Sequence, residues 1–265
     1  IFRQLQNKLD DLSSNTSIRL RMGVMPWQHG LEPVTQFDRA HTACSMARGH
    51  YKEHLIVFDE NVHRQELYNQ RLINDLRRAL ERYEFEIYFQ PKFNIQTEPP
   101  TLVSAEALVR WQHPELGLIP PNDFIPLFEK NGQIGLIDTY VWEEVARKIV
   151  FWQEAYGVTL PVSVNVSRVD LFDPALEETL DRILRFNGLA HECLRLEMTE
   201  SAYTENAEHV IKVVENLRKK GYYIEMDDFG TGYSSLNMLS TMPIDVLKMD
   251  RIFIKNIEHD ERNIQ

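Results

Sequence analysis

The 265-residue sequence predicts an α/β protein whose larger part is a barrel of the triosephosphate-isomerase type, (β/α)8, with an antiparallel first strand. Three observations point there. Six apolar or alternating segments, near residues 85–93, 102–111, 160–167, 193–200, 222–229 and 245–253, read as strands, and most are separated by a helix-length amphipathic stretch. The first two are joined by only about eight residues around Pro99-Pro100, too few for the crossover of a dozen or more that a parallel pair needs, so they form a hairpin. Polar side chains recur toward the ends of these strands, where such barrels gather their chemistry. A closed barrel needs eight strands, so two further β-α units are expected beyond Gln265, because an open edge of buried strands is a liability.

Phe2, Leu5, Leu9 and Leu12 recur at helical spacing with no capping residue ahead of them, so the sequence opens inside a helix. Ile18, Leu20, Met22 and Val24 alternate with Arg19, Arg21 and Gly23 and predict a half-buried strand ending at Pro26. Residues 37–48 read as a helix with Gly49 beyond its end, and 54–58 as a second strand. This α-β-α-β piece, residues 1–60, has too little apolar surface for a whole domain and reads as the back half of one. Residues 61–83 form a charged connecting helix with Leu67, Leu72, Leu76 and Leu80 as its apolar stripe. The barrel domain occupies residues 84–265. Within it, 124–155 supplies helices, and Asp173-Pro174 offers a cap and an N1 proline ahead of Leu176, Leu180, Ile183 and Leu184. Val210, Ile211, Val213, Val214 and Leu217 line a helix that stops at Gly221.

Composition bounds the function. The chain is 43% hydrophobic and 26% charged, as in ordinary globular proteins, and has no apolar run of membrane-spanning length and no leader pattern. A net charge of −11 argues against binding duplex nucleic acid, which depends on clustered Lys and Arg. Cys44 and Cys193, in segments read as a helix and a strand, form neither a metal-ligand pattern nor a disulfide framework, and a reduced cytosolic setting fits them.

The stretch YYIEMDDFGTGYSSL, residues 222–236, is the centre of the candidate site. Neighbouring side chains in a strand point to opposite faces, so Asp227 and Asp228 converge on one ligand only where the strand ends and bends, and Phe229-Gly230-Thr231-Gly232 would supply that bend. Paired carboxylates repel unless a cation neutralises them, which suits a hard ion such as Mg²⁺ or Mn²⁺; a solvated turn that only terminates the strand is the alternative. The other strands add to the set. Glu106, Leu108 and Arg110 share a parity; Asn165 faces opposite Val164 and Val166; Glu197 and Thr199 share a face; so do Lys248 and Asp250. Singly, these residues have plainer explanations, such as Glu197 pairing with Arg195 or Lys248, and Glu106 with Arg110. Together, oxygen donors on successive strands plus one lysine fit hard-cation chemistry, and two ions sharing a carboxylate would suit phosphodiester hydrolysis.

EALVRWQHPELGLIPPNDFIPLFEKNGQI, beginning at Glu106, closely resembles the signature of the EAL family of cyclic di-GMP phosphodiesterases. FQP at 89–91, NVS at 165–167, EMTES at 197–201, DDFGTGYSSL at 227–236 and LKMD at 247–250 follow in the family's order. The resemblance implies a TIM-type barrel that opens cyclic di-GMP to linear pGpG with Mg²⁺ or Mn²⁺, two ions in all. It implies that Glu106, Asn165, Glu197 and Asp227 are metal ligands, that Asp228 reaches the second ion with Asp227 shared, and that Lys248 contacts the hydrolytic water. Gln90, Leu108, Arg110 and Asp250 would be substrate-binding residues, and Glu200 would brace the Asp-Asp-Phe-Gly-Thr-Gly loop. A further metal-binding glutamate and a glutamine ahead of Gly-Tyr in the family pattern fall beyond Gln265. A homodimer formed through the EAL domain is a family expectation, as is an upstream sensor or membrane segment with this chain on the cytoplasmic side. RMGVMP and AHTACSMARGHYKEHLIVFDE resemble the end of a GGDEF domain, with His41 where that family usually has Asp, which implies a degenerate regulatory module. A catalytically inactive cyclic di-GMP receptor is the alternative reading.

Overall fold

The computed structural model describes residues 2, 4–6, 20–49, 55–204, 206–230 and 242–250. The chain divides into two compact units, Ile1–Asn74 and Asp75–Gln265. Among the described residues no helix is long and apolar enough to cross a membrane.

In the first unit, strand β1 (Met22–Val24) leads through helix α1 (Pro33–Gly49) to strand β2 (Leu55–Val57), which lies parallel to β1. Gly23 is required at the contact between β1 and α1, since a Cβ there would stand 2.0 Å from the Ala40 carbonyl oxygen and 2.3 Å from the Cys44 nitrogen. Most of the opening helix, with Ile18 and Arg19, lies outside the described residues. Helix α2 (Glu60–Glu81) buries Leu72, Leu76 and Ala79 completely, spaced by four and three residues as a helical stripe should be. Leu67, expected in that stripe, is instead 58% exposed.

The second unit is a curled sheet in the order β3 (Phe85–Asn94), β4 (Thr101–His113), β6 (Val162–Asn165), β7 (Leu194–Thr199), β8 (Tyr223–Phe229) and β9 (Val246–Met249). The expected hairpin is present, with β3 antiparallel to β4 from Phe85 opposite Trp111 to Asn94 opposite Thr101. All later neighbours are parallel. Strands that follow one another in the chain and in the sheet, with helical connections between the parallel pairs from β4 to β8, give the barrel architecture. The connections are α3 (Pro121–Asn131) and α4 (Ile134–Tyr156), then α5 (Arg168–Leu171) and α6 (Leu176–Phe186), then α7 (Glu200–Thr204) and α8 (Ala207–Lys220). A three-residue strand, β5 (Gly117–Ile119), folds back on β4 and is too short to leave a periodic signal.

Apolar faces of the helices close the core. Phe85 and Trp111 across the hairpin meet Phe124 and Phe128 of α3, with ring centroids 4.9 Å apart for Phe85–Trp111 and 5.9 Å for Trp111–Phe124. Such pairs add about 0.5–1.5 kcal/mol each beyond their burial. Leu176, Leu180, Ile183 and Leu184 of α6 are buried, as are Val210, Val214 and Leu217 of α8. Helix α8 ends at Gly221, whose φ of 102° is a left-handed cap that a residue with a Cβ adopts only with strain. Two expectations need correcting. Helix α6 begins after Ala175, and Asp173 accepts a hydrogen bond from the Ala175 amide, so Asp173-Pro174 builds a turn ahead of the helix. Cys193 closes a 3₁₀ turn before β7 and is not part of the strand.

Candidate active site

Four parallel strands and the hairpin deliver the polar groups to one place. Glu106 on β4 faces Gln90 across the hairpin and stands beside Ser163 of β6. Asn165 ends β6 next to Glu197 of β7, and Thr199 ends β7 next to Asp227 of β8. The indole nitrogen of Trp142, in α4, donates to the Asn165 carbonyl oxygen at 3.0 Å and pins the end of β6. Lys248 on β9 completes the group. Its ammonium donates to Glu106 Oε2 at 3.0 Å and to Glu197 Oε1, and lies 3.2 Å from Asp227 Oδ2. Three carboxylates from three strands thus meet at the Lys248 ammonium. Among the described residues, no three carboxylate, imidazole or thiolate side chains already form a cage for an ion; the ammonium stands between them.

Charge and burial set the protonation here. Glu197 is 1% exposed, and burial, with Glu106 nearby, pushes its carboxyl up to about 7 despite Lys248. Burial also works against ionised Asp227, but the hydrogen bond from Glu197 and the charge of Lys248 hold it below the ordinary aspartate value. For Lys248, burial opposes the charge, and Glu197 and Glu106 more than offset it, so the ammonium keeps its proton more tightly than a free lysine.

The backbone solves the problem of two adjacent carboxylates differently from the expectation. Strand β8 runs on through Phe229, and the irregularity lies inside it. Met226 faces Leu247 and Phe229 faces Met249, so β8 carries an extra residue in a bulge. Asp228 takes the left-handed conformation, φ 56°. The bend thus begins at Asp228 itself and continues through Gly230, whose φ is 95°; residues 231–241, with the rest of the expected bend, lie outside the described residues. Asp228 is exposed, and burial of part of its carboxyl, followed by Asp227 and Asp250, raises it above the ordinary value.

The remaining candidates are placed as follows. Gln90 is exposed opposite Glu106, and Leu108 is half-buried opposite Tyr88. The Arg110 guanidinium donates to the Val109 carbonyl oxygen at 2.8 Å and lies over the Tyr88 ring, outside the carboxylate cluster. The amide of Asp250 donates to the Phe229 carbonyl oxygen at 3.4 Å. Glu200, 1% exposed, accepts a hydrogen bond from the Gly230 amide at 2.7 Å, tying the start of α7 to the turn after β8.

The profile of the EAL domain matches residues 73–265, which takes in every one of these side chains. The chain belongs to the EAL-domain family. It is 35% identical over 242 residues to the cyclic di-GMP phosphodiesterase PdeR of Escherichia coli, covering 91% of this chain and 36% of PdeR. It is 38% identical over 190 residues to the bifunctional diguanylate cyclase/cyclic di-GMP phosphodiesterase MucR of Pseudomonas aeruginosa, covering 72% of this chain and 27% of MucR. The chain therefore spans only 27–36% of the length of these curated relatives. Among solved structures, the PaMucR phosphodiesterase in complex with c-di-GMP superimposes with a TM-score of 0.67 at 36% identity, covering 73% of this chain and 78% of that one. The EAL enzyme Bd1971 in its cGMP-bound form gives 0.68 at 27% identity, covering 89% and 61%.

Beside the carboxylates, the EAL domain opens a cleft of about 770 Å³ whose lining includes Asn165, Thr199, Ser167, Arg168 and Asp138. The floor of the cleft is fixed by a capping box in which Ser167 and Asp170 bond reciprocally at the start of α5. Asp138 of α4, 8% exposed, faces Asp170, and its Oδ2 has no hydrogen-bond partner among the described residues. Burial and Asp170 raise Asp138 well above the ordinary aspartate value. Sequence reasoning missed Asp138 and also Lys92 and Glu225, while the alternation that turns Asn165 inward does the same for Ser163. The parity of Lys92 with Gln90, and of Glu225 with Asp227, was the available signal.

Proposed function

We propose that the EAL domain of this chain hydrolyses one phosphodiester bond of cyclic di-GMP, giving linear pGpG, with Mg²⁺ or Mn²⁺ at the strand ends. The observation that carries this reading is the convergence of Glu106, Glu197 and Asp227 on the single ammonium of Lys248. Oxygen donors of this kind are those that hard divalent cations select, and three that already gather around one positive charge fit such an ion. Glu106, Asn165, Glu197 and Asp227 would hold it, with Asp227 shared and Asp228 reaching a second ion. Bound there, the ions supply positive charge to the phosphoryl oxygens and acidify water.

The protein's own groups do the rest. Lys248, which reaches Glu106 and Asp227 from β9, would stand beside the attacking water as a hydrogen-bonding group. Glu200 holds the Gly230 amide and with it the turn that carries Asp227 and Asp228. The guanidinium of Arg110 and the amide of Gln90, supported by Leu108 and Asp250, would take the phosphates and guanine edge of the dinucleotide. The cyclic di-GMP phosphodiesterase names of PdeR and of NbdA of Pseudomonas aeruginosa support the substrate. Residues 1–60 belong, in this reading, to a degenerate GGDEF-like module joined by the helix at 61–83, and two EAL domains pair in a homodimer.

The test is hydrolysis of cyclic di-GMP by the full-length protein with Mg²⁺ or Mn²⁺, beside a Ca²⁺ control and the Asp227→Asn variant. Metal-dependent pGpG is expected, reduced in the variant by on the order of 100-fold or more. Binding without turnover would replace the enzyme with a receptor, and neither would defeat both readings.

A further inference from the structure

One inward-facing position deeper than Asn165 and Asp227, the barrel carries a charged layer that the reaction above does not use. Lys92 of β3 reaches into it. Its ammonium lies 2.6 Å from Glu225 Oε2 and 3.0 Å from Ser163 Oγ, and approaches Glu197 Oε2 at 3.5 Å and Glu106 Oε2 at 3.9 Å. Glu225 is 1% exposed, and Arg195 Nη1 donates to its other oxygen at 3.4 Å. A chain of charge therefore runs from Arg195 through Glu225 and Lys92 to Glu197. The hairpin is irregular at this point: Lys92 faces Ser104 while Phe93 faces Leu102, so Val103 is the extra residue of a bulge. Bulges of this kind re-aim side chains next to functional sites.

The two oxygens of Glu197 are thus held from opposite sides, Oε1 by Lys248 and Oε2 by Lys92. Lys92 is itself fixed by Glu225 and Ser163, which lie deeper than the site. A buried Lys-Glu pair is a poor device for stability, since apolar replacements are often neutral or stabilising. Orientation is what such a pair adds, as partners behind a metal ligand commonly do. Resting on the metal reading above, we propose that Lys92 is a positioning residue: anchored by Glu225, it fixes Oε2 of Glu197, so that Oε1, on the Lys248 side, is the oxygen turned to the divalent cation.

The test is Mn²⁺ binding to metal-free full-length protein, followed by the paramagnetic resonance of free Mn²⁺. The variant Lys92→Met/Glu225→Gln removes one charge of each sign, so the net charge around the ion is unchanged, and loss of the nearer positive charge would, if anything, favour the cation. Its Mn²⁺ dissociation constant is expected to rise about tenfold or more, with excess Mn²⁺ restoring turnover and the KM for cyclic di-GMP unmoved. Ile149→Val, in the core of α4, lowers Tm without moving Mn²⁺ binding, which separates positioning from stability. A folded double variant that binds Mn²⁺ within about twofold of the parent protein overturns the proposal and leaves the metal reading standing. If the parent protein binds no Mn²⁺, both fall. Should the double variant fail to fold, Lys92→Gln decides. Removing a positive charge by itself tightens cation binding, so weaker binding supports positioning, and equal or tighter binding refutes it.

Discussion

Replacing Asp138 by Asn tests whether a buried acid beside the cleft limits stability at neutral pH. Asp138 is 8% exposed, faces Asp170, and has an oxygen without a partner among the described residues. Burial, then Asp170, raises its folded pKa well above the ordinary value. The sign follows from linkage. The folded chain holds a proton that the unfolded chain releases near the ordinary aspartate pKa, so this contribution is fully present below that value. It is lost as pH rises toward the folded pKa. Asn keeps an N–H donor toward Asp170 and has no proton to lose. Leaving a buried polar group unsatisfied costs about 1–3 kcal/mol, and for a unit of this size each kcal/mol moves Tm by about 2–4 °C. Asp138→Asn should match the parent protein near about pH 4 and exceed it by roughly 2–12 °C near about pH 8. Thermal unfolding across that range is the assay. A difference between variant and parent that does not change with pH would refute the reasoning.

Asp228 holds φ at 56°, a conformation that costs a residue with a Cβ about 1–2 kcal/mol and suits β-branched residues least. Stability should therefore rank Asp228→Gly at or above the parent and Asp228→Val about 1–2 kcal/mol below it, read by urea midpoint; Val as stable as Gly would contradict the bulge. In the first unit, Gly23→Ala places a methyl 2.0 Å from the Ala40 carbonyl oxygen. Overpacking against backbone costs about 1–3 kcal/mol or more, and hydrogen-exchange protection in β1 and α1 should fall accordingly. Undiminished protection there would show that the contact yields.

Period and length made most of the barrel legible. Six strands, the hairpin and the stripes of α6 and α8 follow from alternation, helical spacing and an eight-residue connection, which are local properties. The inward parity of Glu106, Asn165, Glu197 and Lys248 was readable for the same reason. The bulge at Asp228 was not, because which residue of Asp-Asp-Phe-Gly turns left-handed depends on the register with β9. Arg110 reads as a partner of Glu106 by parity, yet its guanidinium turns to Val109 and Tyr88, a choice of rotamer that spacing does not encode. Lys92 and Glu225 were hidden by distance, since 133 residues separate them and only the curl of the sheet brings them together. Asp173-Pro174 misled because an Asp that turns its own backbone looks in sequence like an Asp that caps a helix.

The cluster at the strand ends also fixes when during synthesis a working centre can first exist. Lys248 bonds Glu106 across 142 residues and Glu197 across 51. Chains emerge from the ribosome N-terminus first, and contacts of such span form late because long loops must close before they repay their entropy. Until β9 docks, Lys92 of β3 is the ammonium within reach of Glu106 and Glu197, and Asp227 lacks its ion pair with Lys248. Docking of β9 against β8 brings Lys248 to all three carboxylates in one event, which couples the birth of the site to the pairing of that strand.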